Sequence, residues 1–239
     1  IVRGEMPDLG CRTGDFFFLE QPDAFAQQRL VVDLVSRRLP KSYGYDPLRD
    51  IQVITPAKQG PLGTRELNRL LQGKLNPPER GKGEATLMGR TLREGDKVMQ
   101  IRNNYDIIWQ QPDGTAGTGI FNGDMGIIEM LDPGSKTIQV RFEEKLATYS
   151  FENQDQLEHA YAVTVHKSQG SEFEAVVMPL ERRHPKLHYR NLLYTAVTRA
   201  RKLLIMTGQK ETVYAMVQNN RRTLRYTNQK EMLQEMCDE

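Results

Sequence analysis

Cysteine is scarce in this sequence: Cys11 and Cys237 stand near opposite ends of 239 residues, and neither matches a metal-ligating or redox spacing. That usage excludes a disulfide scaffold and points to a reduced, cytoplasmic setting. No apolar run approaches the ~20 residues of a membrane-spanning helix, so no membrane partner is expected. An excess of one charge is lacking too. With 33 basic against 31 acidic residues the net charge is only +2, so a polyanion would have to be met by a local groove rather than a basic face. The densest basic cluster, Arg221, Arg222 and Arg225, reads as solvated surface. Also absent are a G-x-x-x-x-G-K-[ST] loop and an acidic pair after a buried strand. This chain therefore lacks the parts that most often grip nucleotide phosphates and their Mg²⁺.

What is present is an interrupted α/β pattern. A strand is expected over 15–19. A helix over 23–38 follows, with Phe25, Leu30, Val31 and Leu34 on its apolar side, Asp23 as N-cap and Pro40 as stop. A strand at 51–54 and a helix over about 64–71 continue a β-α-β-α order, the grammar of a parallel sheet. After Pro77-Pro78 the pattern changes to short β-rich runs at 97–101, 126–131, 137–142 and 147–151. Turn signals such as Asp113-Gly114 and Asn122-Gly123 separate them, which suits a small all-β barrel. Strand and helix then alternate again, with strands at 160–165, 175–178 and 203–207 and helices at 189–199 and 211–218. The expected organisation is one α/β domain built from 1–84 and 157–220, a barrel inserted at 85–156, and a tail at 221–239.

Two segments carry chemistry. From Ala160 to Val165 the chain has strand-forming residues; His166, Lys167, Ser168 and Gln169 then supply donors, and Gly170 permits a turn whose N–H groups can approach an anion. Glu172 suits ribose hydroxyls rather than phosphate. In the second segment, on the expected helix 189–199, Arg199 offers a permanently charged fork of donors for a transferring phosphoryl group. Arg201 and Lys202 are accounted for by the dipole at a helix C-terminus.

At these residues the sequence resembles a known family. T-V-H-K-S-Q-G-S-E (164–172) and Y-T-A-V-T-R-A (194–200) are similar to motifs V and VI of RecD-like superfamily 1B DNA helicases. The run 51–58, continuing through Gly60-Pro61 to Leu67-Asn68, resembles motif IV, with Gln59 where an arginine is common. G-D-K-V-M-Q (95–100) and F-N-G-D-M-G (121–126) resemble the segments that open the group's inserted domain. The resemblance covers nearly the whole chain. It implies a RecA-like parallel sheet with helices on both faces, interrupted by an SH3-like barrel. It also implies an ATP- and Mg²⁺-dependent motor moving 5′ to 3′ on single-stranded DNA. Because the chain begins at Ile1 and has no phosphate-binding loop, a first RecA-like domain is expected to precede it, and residues 1–239 alone are expected not to hydrolyse ATP.

The resemblance distributes roles over this sequence. Arg199 would be the arginine finger, and Lys58, Gln169, Gly170 and Glu172 would face nucleotide. Thr164, His166 and Lys167 would face DNA. His166 also suits a cap or core role, and Thr164 that of a plain β-branched strand residue. In the barrel, Asn103 and Asn104 sit beside Arg102, Tyr105 and Trp109 in what reads as a loop able to hold a backbone and stack bases, while the tryptophan also reads as packing. No metal ligands are expected. Two other readings stay open: a motor fragment of a conjugative relaxase-helicase, and a nucleic-acid-binding module without motor activity. Recombination or repair subunits would be further partners.

Overall fold

In the computed structural model, residues 1–183 and 185–220 are described. The cluster Arg221, Arg222 and Arg225, Cys237 and the expected tail at 221–239 lie outside the described residues. The chain opens with β1 (Phe16–Glu20), α1 (Ala24–Asp33), a π-helical turn (Leu34–Arg38) and α2 (Leu39–Tyr43). Next come β2 (Ile51–Thr55) and α3 (Thr64–Leu75). A β region follows, made of β3 (Glu84–Leu87), β4 (Arg90–Arg93), β5 (Lys97–Gln100), β6 (Asn104–Gln110), β7 (Ala116–Ile120), β8 (Met125–Asp132), β9 (Thr137–Phe142), β10 (Lys145–Ser150) and β11 (Leu157–His159). The last part holds β12 (Ala162–Thr164), β13 (Phe173–Pro179), α4 (Arg190–Val197), β14 (Ala200–Gly208) and α5 (Lys210–Gln218).

Asp23 caps α1 as expected, its Oδ1 accepting from Ala26 N at 2.7 Å. Pro40 does not stop the helix. The helix continues through it by way of the π-helical turn just before, in which Leu39 N bonds to Leu34 O, and the helical stretch ends instead at Gly44 (φ 72°). Phe25 is 59% exposed rather than on the buried side. Gln27 takes the inner position instead, accepting from Thr207 Oγ1 at 2.9 Å and donating to Leu180 O at 3.3 Å.

Five parallel strands form a sheet in the order β1-β14-β13-β2-β12. Alternation along the strands sends Ile51, Val53, Val177 and Ile205 to one face, against α1 and α3, and Ile54, Val176, Met178 and Met206 to the other, against α4 and α5. Both faces are covered, which is why β13 reads as a nearly unbroken apolar run. Because all strands run one way, their carboxyl ends share one edge and their amino ends the other.

The inserted region carries a seven-stranded sheet, β11-β5-β8-β9-β10-β6-β7, and a two-stranded β3-β4 hairpin. Its sheet continues through β11, three residues past the expected boundary at 156. Tyr105 and Trp109 lie on strand β6, not in a loop. The Asp113-Gly114 turn closes a β6-β7 hairpin whose register shifts between Asn104 and Ile108, so the sequence there shows no regular alternation. Trp109 is packed: Lys145 Nζ stands 4.8 Å over its ring, and a Cβ at Gly117 would come within 2.5 Å of it.

Two consecutive residues at the start of β5 tie the insertion to the α/β domain. Asp96 is fully buried and accepts from Arg93 N (2.8 Å), Gln72 Nε2 (2.7 Å), Asn76 Nδ2 (2.6 Å) and Tyr161 OH (2.9 Å), with His159 Nε2 at 3.1 Å. Burial alone would raise its pKa; the bonds from His159, Asn76 and the Arg93 N–H outweigh it and hold the carboxyl below the usual aspartate range. Lys97 is also buried, donating to Ile51 O at 3.3 Å beside the Phe173 ring. Burial pushes its ammonium down to about 8, against the pull of Asp46 and Asp50. Between pH 8 and its ordinary value near 10.4 the unfolded chain binds the proton that the folded one has released, so stability rises with pH there, by up to roughly 3 kcal/mol. Lys97→Met is expected to remove that rise in urea unfolding followed from pH 7 to 10. An unchanged slope would show that Lys97 does not titrate in this window.

Candidate functional site

The segment joining β12 to β13 runs from one edge of the parallel sheet to the other, and it divides the candidate residues into two groups. At the carboxyl edge β12 ends in Thr164, whose Oγ1 faces Lys167 N at 3.4 Å, while Ser168 anchors the turn by donating to Val165 O at 2.8 Å. His166 is exposed there, its Nε2 3.4 Å from Tyr189 OH. The loop after β2 reaches the same edge. Thr55 Oγ1 donates to Leu62 O at 2.7 Å, and Gly63 turns so closely over Gln59 that a Cβ would stand 2.5 Å from its carbonyl. Lys58 is thereby set at the start of α3, in a small pocket shared with Thr64, Thr164, Glu158 and Lys167. Lys167 Nζ donates to Glu158 Oε2 at 2.5 Å.

Gly170 (φ 92°) then sends the chain toward the amino edge, in a backbone conformation that favours glycine. Gln169 and Gly170 are exposed on the way. At the amino edge Arg199 Nη1 donates to Ser171 O at 3.0 Å, its Nε to Thr195 O at 3.1 Å and its Nη2 to Thr198 Oγ1 at 3.1 Å. Phe173 N donates to Arg199 O at 2.8 Å, locking the two segments together. Glu172 is exposed and pairs with Arg201 Nε at 3.0 Å.

This placement corrects two expectations. Arg199 follows α4 rather than lying on it: its N–H bonds to Ala196 O in a tightened last turn, and Phe173 N takes its carbonyl into the sheet. Arg201 and Lys202 are on β14, so no helix dipole explains them. They form exposed ion pairs with Glu172 and Glu174, the latter at 2.6 Å, of a kind that contributes little to stability.

The structure brings Arg199 together with Glu172 and the Gly170 turn, and Lys58 together with Thr164 and Lys167. It sets Lys58 at the opposite edge from Arg199. Asn104 is used inside the barrel, donating to Gln156 Oε1 at 3.0 Å and accepting from Asp106 N at 2.9 Å, while Asn103 accepts from Asn122 N at 2.9 Å. Beside them Tyr105 is 66% and Phe121 42% exposed, edge to face at 5.7 Å. The sequence signal for Phe121 is an aromatic directly before an Asn-Gly turn. Glu158 carried no such signal, since its partner Lys167 is reached only through the fold. Among the described residues no cluster of three or more His, Cys, Asp or Glu could hold a metal ion. At the amino edge the Arg199 guanidinium is the donor set whose chemistry suits phosphate oxygens, and Glu172 is the carboxylate beside it.

A family model described as the SH3 domain of ATP-dependent RecD-like DNA helicases matches residues 67–142, and one described as a UvrD-like helicase C-terminal domain matches 159–207. The first begins inside α3; Gln72 of that helix and Asn76, at its C-cap, hold Asp96. The ATP-dependent RecD2 DNA helicase of Deinococcus radiodurans is 35% identical over 208 residues, covering 87% of this chain and 26% of that protein. The RecBCD enzyme subunit RecD of Buchnera aphidicola subsp. Schizaphis graminum is 26% identical over 172 residues, 71% of this chain and 26% of that subunit. The chain spans about a quarter of the length of these relatives. Among solved structures, Pif1 helicase from Bacteroides in complex with ADP-AlF3 and ssDNA is similar over 89% of this chain and 50% of that one, at 16% identity and a TM-score of 0.45.

Proposed function

The chain belongs to the RecD-like helicase family, and from that premise we propose that it is the second RecA-like half, with its inserted barrel, of an ATP-dependent helicase that moves 5′ to 3′ on single-stranded DNA. A first RecA-like domain would face the amino edge, with nucleotide between the two. ATP with Mg²⁺ supplies the phosphoryl group when bound. Toward it Arg199 neutralises the charge that builds on the transferring group, Gln169 and the Gly170 N–H hold phosphate oxygens, and Glu172 accepts from ribose hydroxyls. At the other edge Thr164, His166 and Lys167 hold the DNA backbone. Lys58 was expected at the nucleotide, but its shared pocket with Lys167 favours the DNA track. Asn103 and the Tyr105-Phe121 pair would extend that track over the barrel, with Asn104 supporting them from within.

The observation that carries this reading is the single segment 164–172, which runs from the Lys167 group at one edge to the Ser171–Arg199 bond at the other. A shift at either edge is felt at the other through nine residues of chain. Recombination or repair subunits are proposed as partners, since the Buchnera relative is named as a subunit of the RecBCD enzyme.

Strand displacement by the full-length protein tests the reading. With ATP and Mg²⁺, duplexes bearing a 5′ single-stranded tail are expected to unwind and those bearing only a 3′ tail to remain paired, while the 239-residue chain alone turns over no ATP. Unwinding from the 3′ tail would overturn the polarity. DNA binding that ignores nucleotide, with no turnover by the full-length protein, would favour a binding module without motor activity.

A further inference from the structure

We propose that Glu158 is a built-in competitor for the phosphate that Lys167 holds, tuning the grip on the DNA track so that it can be released at each step. The inference rests on the reading of Lys167 as a track residue. Glu158 lies on β11, the last strand of the inserted sheet, where it pairs with Met99. Its carboxylate is 2.5 Å from Lys167 Nζ, so the ion pair spans the two parts of the protein. Lys58 and Thr164 line the same pocket, and Arg90, on β4, reaches over to donate to Leu157 O at 2.9 Å. Burial works against the charge on Glu158, but the Lys167 hydrogen bond and then the fields of Lys167, Lys58 and Arg90 outweigh it, holding the carboxyl below its usual range.

To an ammonium, a carboxylate and a phosphodiester are the same kind of partner, a pair of oxygens sharing one negative charge. A phosphate arriving at Lys167 must share or displace Glu158, which costs affinity. The displaced carboxylate then recruits a cation from solution, which offsets the counter-ion released from the DNA. Both effects favour a motor, which needs contacts weak enough to leave at every step.

The probe is a single-stranded oligodeoxythymidylate, bound by the full-length protein without nucleotide across a range of salt concentrations. Glu158→Gln keeps the shape and removes the charge. It is expected to tighten binding by about three- to fivefold at low salt, and to steepen the plot of log affinity against log salt by ~0.7, the value of one more counter-ion released from a single strand. Lys167→Met is expected to weaken binding, and in the Lys167→Met background Glu158→Gln should no longer matter. If Lys167→Met weakens binding but Glu158→Gln leaves affinity and slope unchanged, or weakens them, the competitor role is overturned while the track reading stands. If neither substitution changes binding, Lys167 is not on the track and both fall. A Glu158 that merely braces β11 would lower the melting temperature in the Gln variant without steepening the salt slope.

Discussion

Asp96→Ala is expected to destabilise this protein by about 3–5 kcal/mol, the range seen when one member of a buried charged network is removed. The substitution leaves Gln72 Nε2, Asn76 Nδ2, Tyr161 OH and the Arg93 N–H without their common acceptor, in a site closed to water. Asp96→Asn does not restore it, because its NH2 takes the place of one carboxylate oxygen and turns its own N–H groups toward the two donors that bonded there. Urea unfolding reads the cost as a lower midpoint at constant slope. The pH dependence gives a second check. The carboxyl's pKa lies lower in the folded protein than in the unfolded chain, so its contribution is fully present above about pH 4 and fades as pH falls through the folded value. Stability of the wild-type chain should therefore drop below pH 4 more steeply than that of Asp96→Asn. A cost under about 1 kcal/mol for Asp96→Ala would mean the network is wet or rearranges freely.

The same residue shows where the sequence stops being readable. Gly95-Asp96-Lys97 looks like a turn before a strand, and nothing near it reveals that Tyr161, 65 residues on, supplies one of its bonds. Strands of the parallel sheet were legible because burial on both faces leaves continuous apolar runs, as in β13 and β14. Strand β6 was not, since its bulge breaks the alternation and Asn104 and Asp106 dilute it. The end of α4 was misplaced for a third reason. Leu193 to Arg201 has helical spacing and no glycine or proline to stop it, and the helix ends because β13 takes the carbonyl of Arg199 into the sheet. For the candidate site, Gly170, Glu172 and Arg199 lie in two short motifs whose chemistry is local, and the Ser171–Arg199 bond brings those two segments together. The division between sheet edges that separates Lys58 from them turns on Arg199 leading into β14 after α4 has ended, which the helical spacing of the sequence hides.

In the full-length protein, Arg199→Ala is expected to lower DNA-stimulated ATP turnover by ~10³ or more, by analogy with arginine fingers, while affinity for single-stranded DNA stays nearly unchanged. The guanidinium holds Ser171 O, Thr195 O and Thr198 Oγ1 at 3.0–3.1 Å. These are neutral acceptors, and a phosphoryl group gaining charge competes for the fork on better terms than any of them. Releasing Ser171 O alone would free Nη1 for it while Nε and Nη2 keep the side chain in place. Because that contact forms as charge develops, its loss belongs in kcat rather than in ground-state binding. Arg199→Lys should not rescue turnover, since one ammonium cannot replace a planar fork that anchors at two points and reaches at a third. His166→Ala is expected to give the opposite pattern, weakening DNA binding while basal hydrolysis persists, because its exposed imidazole stands at the carboxyl edge, where the DNA track is proposed, and away from Arg199. The competing account is that Arg199 only staples the end of α4 to the segment before β13. A staple predicts that Arg199→Ala lowers the melting temperature and weakens nucleotide and DNA binding together, with turnover recovering once nucleotide and DNA are saturating. Loss of kcat at saturation, with melting and DNA affinity intact, separates a finger from a staple.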